Sequence, residues 1–252
     1  MPSLTVTALP GIGEIEPRQD LGAALCAALA AAALAPRPQD VLVVTQKIIS
    51  KAENRYVDLS TVRVSPRAAE LAAKTRKDPR LVQLVLEEST DVLRATAGVL
   101  VVRHRLGFVM ANAGIDRSNI AGADRVLLLP QDPDGSAADL RKAVTQRFGI
   151  EGIGVIVSDS FGRPWRNGVT NVALGAAGFP ALLDRRGQRD RNGRKLEATE
   201  VALADQLACA AGLLMGEGAE GLPAVLIRGI TWSAPPVPAR ALIRPLAQDL
   251  FR

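Results

Sequence analysis

The chain reads as a mixed α/β fold, and three observations predict it. Short β-branched runs such as Asp40–Thr45 and Ile153–Val157 alternate with Ala/Leu-rich stretches of helical period. That alternation is the pattern of strands layered with helices. Strand pairs joined by polar turns, at 99–110 and 181–195, interrupt the strict strand–helix repeat, so the sheets are not all parallel. With 252 residues, 48% hydrophobic and 23% charged, the chain has enough material for a sizeable core in one or two domains. No repeat, low-complexity tract or clear linker marks a boundary.

Taken in order, Leu4–Thr7 is a strand, broken by Leu9-Pro10-Gly11-Ile12-Gly13-Glu14. Asp20 opens an Ala-rich helix that runs to Ala35, before Pro36. Asp40–Thr45 is a buried strand that leads directly into Gln46-Lys47-Ile48-Ile49-Ser50-Lys51. Pro66–Arg76 and Leu81–Leu93 carry helical periodicity, with Pro79 at a first turn and Glu87-Glu88 on a solvated face. Val99–Val102 and Gly107–Met110 pair as strands. Leu127–Pro130 is a short strand, and Ser136 with Asp139 caps a helix to Arg147. Ile153–Val157 is a buried strand that stops in an irregular loop, Ser158 to Gly168. Val172–Leu174 is a strand and Gly175–Gly178 a tight bend. Asp184–Lys195 is a charged surface hairpin. Glu197 opens a helix to Leu214, with Asp205 inside it. Ala224–Arg228 is the last buried strand, and a Pro-rich stretch precedes a short terminal helix.

Composition narrows the function classes. The net charge of +5 is spread along the chain and suits an anionic small ligand. Aromatics are only 3%, so the stacking platforms of single-strand binders are missing and nucleic acid is not an expected partner. Cys26 and Cys209 lack metal-ligand spacing and read as free thiols of a reducing compartment. The single histidine, His104, reads as structural. The N-terminus lacks the basic region and cleavage site of a secretory signal. The longest apolar run, Leu21–Ala35, would span about 22 Å as a helix, short of a bilayer core of roughly 30 Å. A cytoplasmic protein with no membrane partner is expected.

The chemistry-bearing residues gather where strands end. Asp159 and Ser160 offer hard oxygens suited to Mg2+ or Mn2+. Arg163 and Arg166 offer planar donors suited to phosphate or carboxylate. The same stretch also fits a capped turn with solvated arginines. A second strand end, Asn112 to Asn119, delivers Asp116, which could join Asp159 in a two-carboxylate site. Lys47 and Lys51 follow a buried strand and are placed to meet an anion, or to face solvent on an amphipathic turn. Met215 to Pro223 holds three glycines in six residues, more than a helix end needs. Such a loop can wrap a nucleotide with backbone groups, although it matches neither common phosphate motif.

In order, TQKIISKAENR (45–55), VLEES (85–89), NAGIDRSN (112–119), LLPQDPDGSA (128–137), SDSFGRPWRNG (158–168) with NVALGAAG (171–178), and LLMGEGAEGLPAVLIRG (213–229) resemble one family. It is the coenzyme F-420-0:L-glutamate ligases, the CofE family. The resemblance implies a GTP-dependent ligase that joins L-glutamate to the lactate carboxylate of coenzyme F-420-0, then adds γ-linked glutamates, releasing GDP and phosphate. It implies two divalent ions, Mg2+ or Mn2+, with K+ as a further cation. It implies an intertwined homodimer with a two-domain α/β fold, here one ligase unit over 1–252 with two subdomains. A fused flavin reductase domain, which longer members carry, is not expected.

By motif, Asp116, Asp159 and Ser160 resemble the metal ligands. Gln46, Lys47, Lys51 and Asn119 resemble nucleotide contacts. The loops Ile12, Gly13, Glu14, Ile15 and Met215, Gly216, Glu217, Gly218, Ala219, Glu220, Gly221, Leu222 resemble those around GTP. Asp159, Lys51, Arg163 and Arg166 are the expected catalytic groups. Gly13-Glu14 stands where other members carry proline and an aliphatic residue, and Ala219-Glu220 replaces a pair often written Gly-Asp. Both departures bear on base and ribose contacts. Two readings of the residues stand beside the ligase: a metal-dependent nucleotide hydrolase or phosphotransferase, and a non-catalytic GTP-binding regulator.

Overall fold

A parallel pair of strands forms the middle of a five-stranded sheet, and the rest of the chain is arranged around its two faces and one end. The structure, a computed structural model, describes residues 2–120 and 122–249. In chain order the elements are β1 (Thr5–Ala8), α1 (Leu21–Ala31), β2 (Val41–Thr45), α2 (Gln46–Ala52) and β3 (Tyr56–Asp58). Then come α3 (Pro66–Thr75), α4 (Pro79–Glu87), β4 (Ser89–Thr96), β5 (Val99–His104), β6 (Val109–Ala111) and β7 (Arg125–Leu127). The second half holds α5 (Pro133–Phe148), β8 (Gly154–Arg163), β9 (Arg166–Ala177), β10 (Leu182–Asp184), β11 (Glu200–Ala202), α6 (Leu203–Met215) and β12 (Ala224–Arg228).

The sheet order is β1-β12-β2-β8-β9. β2 and β8 are parallel, from Val41 opposite Gly154 to Thr45 opposite Ser158, and the other pairs are antiparallel. Alternate residues serve two cores. Leu42 and Val44 pack with Leu25 of α1 and Leu140 and Val144 of α5. Val41 and Val43 pack with Leu207 and Ala211 of α6. A strand covered on both faces must be apolar throughout, which is why β2 reads VLVVT. Each such fully buried aliphatic side chain contributes about 1.5–3 kcal/mol.

Between β2 and β8 the chain builds a second layer. The β4–β5–β6 sheet packs under α3 and α4 around Leu71, Val82, Val85, Leu100 and Val102. β3 and β7 pair beside it around Leu59 and Val126.

Several sequence expectations need correction. The first helix ends at Ala31, and Ala33 takes a left-handed φ of 53°. The helix expected to reach Leu93 stops at Glu87, because Ser89–Thr96 pairs with β5. The strand expected over 127–130 is Arg125–Leu127, and Leu128 to Pro130 are buried outside the ladder. α5 is capped by Asp132, whose Oδ1 accepts the Gly135 N–H at 3.1 Å, rather than by Ser136. α6 opens at Leu203 rather than Glu197, because Glu200–Ala202 pairs with Leu182–Asp184. Gly175 and Ala176 continue β9 instead of bending it. The tail forms 3-10 turns at Ala239–Leu242 and Leu246–Gln248; the end of the expected terminal helix, 250–252, lies outside the described residues. No described helix is long and apolar enough to cross a membrane.

Candidate functional site

Register fixes where the site must be. Thr45 sits opposite Ser158, so the next residues, Gln46 and Asp159, emerge together at the carboxyl ends of the two parallel strands. Open α/β sheets bind ligands outside such strand ends. β2 turns at once into α2. β8 does not stop: it continues through Arg163 and returns as β9 in a hairpin whose turn is Pro164-Trp165. The irregular loop expected over 158–168 is therefore a β-hairpin. Trp165 takes a left-handed φ of 64° at its tip and is 90% exposed.

A cavity of about 810 Å³ opens at these strand ends. Its wall includes Ile12, Gly13, Glu14 and Ile15, then Gln46, Lys47 and Lys51 of α2, then Asp116 and Asn119, then Asp159 and Ser160. Met215 to Ala219, Gly221 and Leu222 complete the lining. Three expected residues are not brought in. Arg163 and Arg166 face each other at the exposed hairpin tip, because the strands carry them beyond the cavity wall. Glu220 turns back on its own loop, and its Oε2 accepts the Gly218 N–H at 2.8 Å.

Lysines and carboxylates meet in pairs on this wall. Lys47 Nζ lies 2.8 Å from Asp116 Oδ2 and donates to Ser118 Oγ at 2.8 Å. Asp116 Oδ1 accepts the Ser118 N–H at 2.7 Å and its hydroxyl at 2.8 Å. Burial alone would raise the Asp116 carboxyl, but Lys47 and these two donors outweigh it and hold it below the usual range. Asp159 goes the other way. Burial pushes it up to about 7, against a Ser160 N–H, with the negative charges of Asp116 and Glu217 adding to the rise. Ser160 Oγ donates to Glu217 Oε2 at 2.7 Å, tying the hairpin to the glycine loop. Lys51 is 4% exposed and pairs with Glu14, which also lines the cavity.

A half-buried carboxyl beside a second carboxyl and a hydroxyl is a donor set of hard oxygens. Among the described residues no three His, Cys, Asp or Glu cluster as a complete metal cage. Both facts fit Mg2+, which takes one or two carboxylates and completes its shell with phosphate oxygens and water.

The sequence reading passed over Ser118, Asn171 and Ser158, all on the cavity wall. A serine two residues after Asp116 is the signal that could have found the first, since it closes the turn that presents the acid. His104 is fully buried, accepts the Leu106 N–H at Nδ1 (3.0 Å) and is not on the cavity wall. Glu88, expected on a solvated face, is instead half-buried between two arginines, Arg55 at 3.1 Å and Arg105 at 3.1 Å, with His104 Nε2 at 3.4 Å.

The family profile described as F420-0:Gamma-glutamyl ligase matches residues 11–229. A coenzyme F420:L-glutamate ligase of Methanopyrus kandleri is 42% identical over 256 residues, covering 100% of this chain and 99% of that one. The protein of the same name from Methanothermobacter thermautotrophicus is 44% identical over 84% of each chain. That of Haloarcula marismortui is 42% identical over 89% of this chain and 87% of its own.

Proposed function

Since the chain belongs to the F420-0:gamma-glutamyl ligase family, we propose that it joins L-glutamate to coenzyme F-420-0, with GTP as phosphoryl donor, and then adds further γ-linked glutamates. The observation that carries this reading is the strand-end cavity, which is lined by two carboxylates, a hydroxyl, two lysines and a glycine-rich loop.

A carboxylate is a poor acyl donor until one of its oxygens leaves as phosphate. In the proposed sequence an oxygen of the acceptor carboxylate attacks the γ-phosphorus of GTP, and GDP departs. The glutamate amine then attacks the acyl carbon, the C–O bond to phosphate breaks, and the nitrogen gives up its extra proton. Phosphoryl transfer rests mainly on positioning and charge neutralisation. Lys51 supplies a desolvated positive charge, stronger there than in water. Lys47 holds Asp116 in place and adds a second positive charge to the same wall. The Gly218 N–H, held by Glu220 Oε2, would meet a phosphate oxygen once Glu220 releases it. Asp116, Asp159 and Ser160 would hold divalent ions, whose chemistry is to draw charge from the phosphate oxygens. No step asks for a histidine or a thiol.

The homodimer belongs to the same reading. Exposed Trp165 and Val169 on the hairpin and Leu213 on α6 support it. A sedimentation mass near twice 26.6 kDa is the expected result, and a single-chain mass would remove it.

The test is GTP turnover with hydroxylamine present. GDP release that requires F-420-0, together with trapping of an F-420-0 hydroxamate, is the expected outcome. GDP release indifferent to F-420-0 and glutamate favours the hydrolase.

A further inference from the structure

A strand that carries a site has to be aimed, and β8 is aimed by a defect in its partner. The β8–β9 register is constant from Val155 opposite Ala177 to Val157 opposite Gly175, then shifts by one so that Ser158 faces Ala173. The additional residue is Leu174 of β9. A bulge bends a strand pair and redirects the side chains beyond it. The β8 residues just beyond this one are Asp159 and Ser160.

α6 holds the bulge. Asp205 Oδ1 accepts the Ala173 N–H at 2.9 Å. One turn later, Cys209 Sγ donates to Asn171 O at 3.0 Å. That i, i+4 spacing sets both side chains on one helix face. Gly212 lies so close to Asn171 that a Cβ there would fall 1.8 Å from Oδ1. The helix ends at Met215, whose Sδ accepts from Ser158 Oγ at 4.0 Å. One helix therefore grips the bulge at its first turn and opens the glycine loop at its last. Asp205 is not on the cavity wall.

We infer that Asp205 is a positioning residue: by taking the Ala173 N–H it fixes the bulge, and so the direction in which Asp159 and Ser160 enter the cavity. Burial raises the pKa of this carboxyl and only the Ala173 N–H opposes the rise, so what the position needs is an acceptor oxygen, not a charge. An asparagine supplies the same oxygen. The turnover arm of the following test rests on the proposed ligase activity; the other arms do not.

The experiment compares Asp205→Ala and Asp205→Asn with the parent protein. Amide hydrogen exchange at Ala173 and binding of Mn2+ alone, read by electron paramagnetic resonance, are measured beside kcat and KM for GTP. Asp205→Ala is expected to lose protection at Ala173, to bind Mn2+ about tenfold more weakly, and to lose ten- to a hundredfold in kcat with KM for GTP little changed. A displacement of about 1 Å at reacting groups is enough for losses of that order. Asp205→Asn is expected to restore all three. Parent-like Mn2+ binding and kcat in Asp205→Ala overturns the inference, and so does an Asp205→Asn protein as impaired as Asp205→Ala. If Asp205→Ala does not fold, Asp205→Gln moves the acceptor by one methylene and is expected to show the same losses; a parent-like Asp205→Gln overturns the inference. A parent protein without ligase activity defeats the functional reading, while exchange and Mn2+ binding still decide the positioning role.

Discussion

Lys51 is an ammonium with almost no water around it, and Glu14 is the partner that makes this tolerable. A buried charge without a partner is strongly destabilising. Glu14 reaches Lys51 from an exposed loop, so in the proposed reaction a phosphate that pairs with Lys51 would displace it. Glu14→Gln is accordingly expected to bind GTP about five- to tenfold more tightly, on the order of 1 kcal/mol, because an exposed partner is worth little more than that. Calorimetry checks this, and unchanged or weaker binding would remove the competition. Asp159 presents the opposite case, a carboxyl that burial raises to about 7. Since its folded pKa lies above the unfolded value, its charge costs stability progressively from about pH 4 to about pH 7. In metal-free protein, Asp159→Asn should therefore be at least as stable as the parent at pH 8, and equal to it near pH 4, while losing turnover. A melting temperature well below the parent's at pH 8 would contradict this.

At the scale of elements, the β8–β9 hairpin is the piece the sequence disguised. Asp159, Ser160 and their companions were legible as a polar strand end, but not as strand. The buried half of β8 is apolar on both sides, whereas its outer half, Asp159 to Arg163, is only partly buried or exposed and loses the apolar pattern that signals a strand. The pairing with β9 supplies what the pattern lacks, and no local signal reports it. The arginines were misplaced for the same reason: extending the strand by six residues, from Val157 to Arg163, carries them to the tip. Gly175 was read as part of a bend, yet it sits within β9 because α5 approaches there. A Cβ on it would fall 2.1 Å from Pro133 O, a backbone atom with nowhere to go. Gly175→Ala should cost about 3 kcal/mol, at the upper end of overpacking effects, measured by denaturant unfolding. A loss under about 0.5 kcal/mol would mean that α5 stands farther from β9 than described.

At the scale of the molecule, the two layers meet at Glu88. It lies between α4 and β4, and its partners are Arg55, just beyond the site helix α2, and Arg105 and His104 at the end of β5. Arg55 also donates to Leu129 O at 2.9 Å. Burial would raise the Glu88 carboxyl, but His104, Arg55 and Arg105 outweigh it and hold it at about 2. A depressed folded pKa contributes stability that is present above the unfolded value of about 4.5 and is lost as pH falls toward 2. Glu88→Gln should therefore cost on the order of 3 kcal/mol at pH 7 and progressively less below pH 4. A deficit independent of pH would assign the loss to packing. The mixed α/β class and the strand-end site were legible because periodicity and polar strand ends are local. The solvated reading of Glu88 failed because its three partners come from distant segments of the chain.

The measurement that tests the central claim most directly is the mass of F-420-0 after incubation with the protein, GTP, L-glutamate and Mg2+ or Mn2+. Products heavier by one or more glutamyl residues, formed only when GTP and glutamate are both present, are the predicted result. Unchanged F-420-0 alongside steady GDP release would contradict it, and the same cavity would then belong to a nucleotide hydrolase.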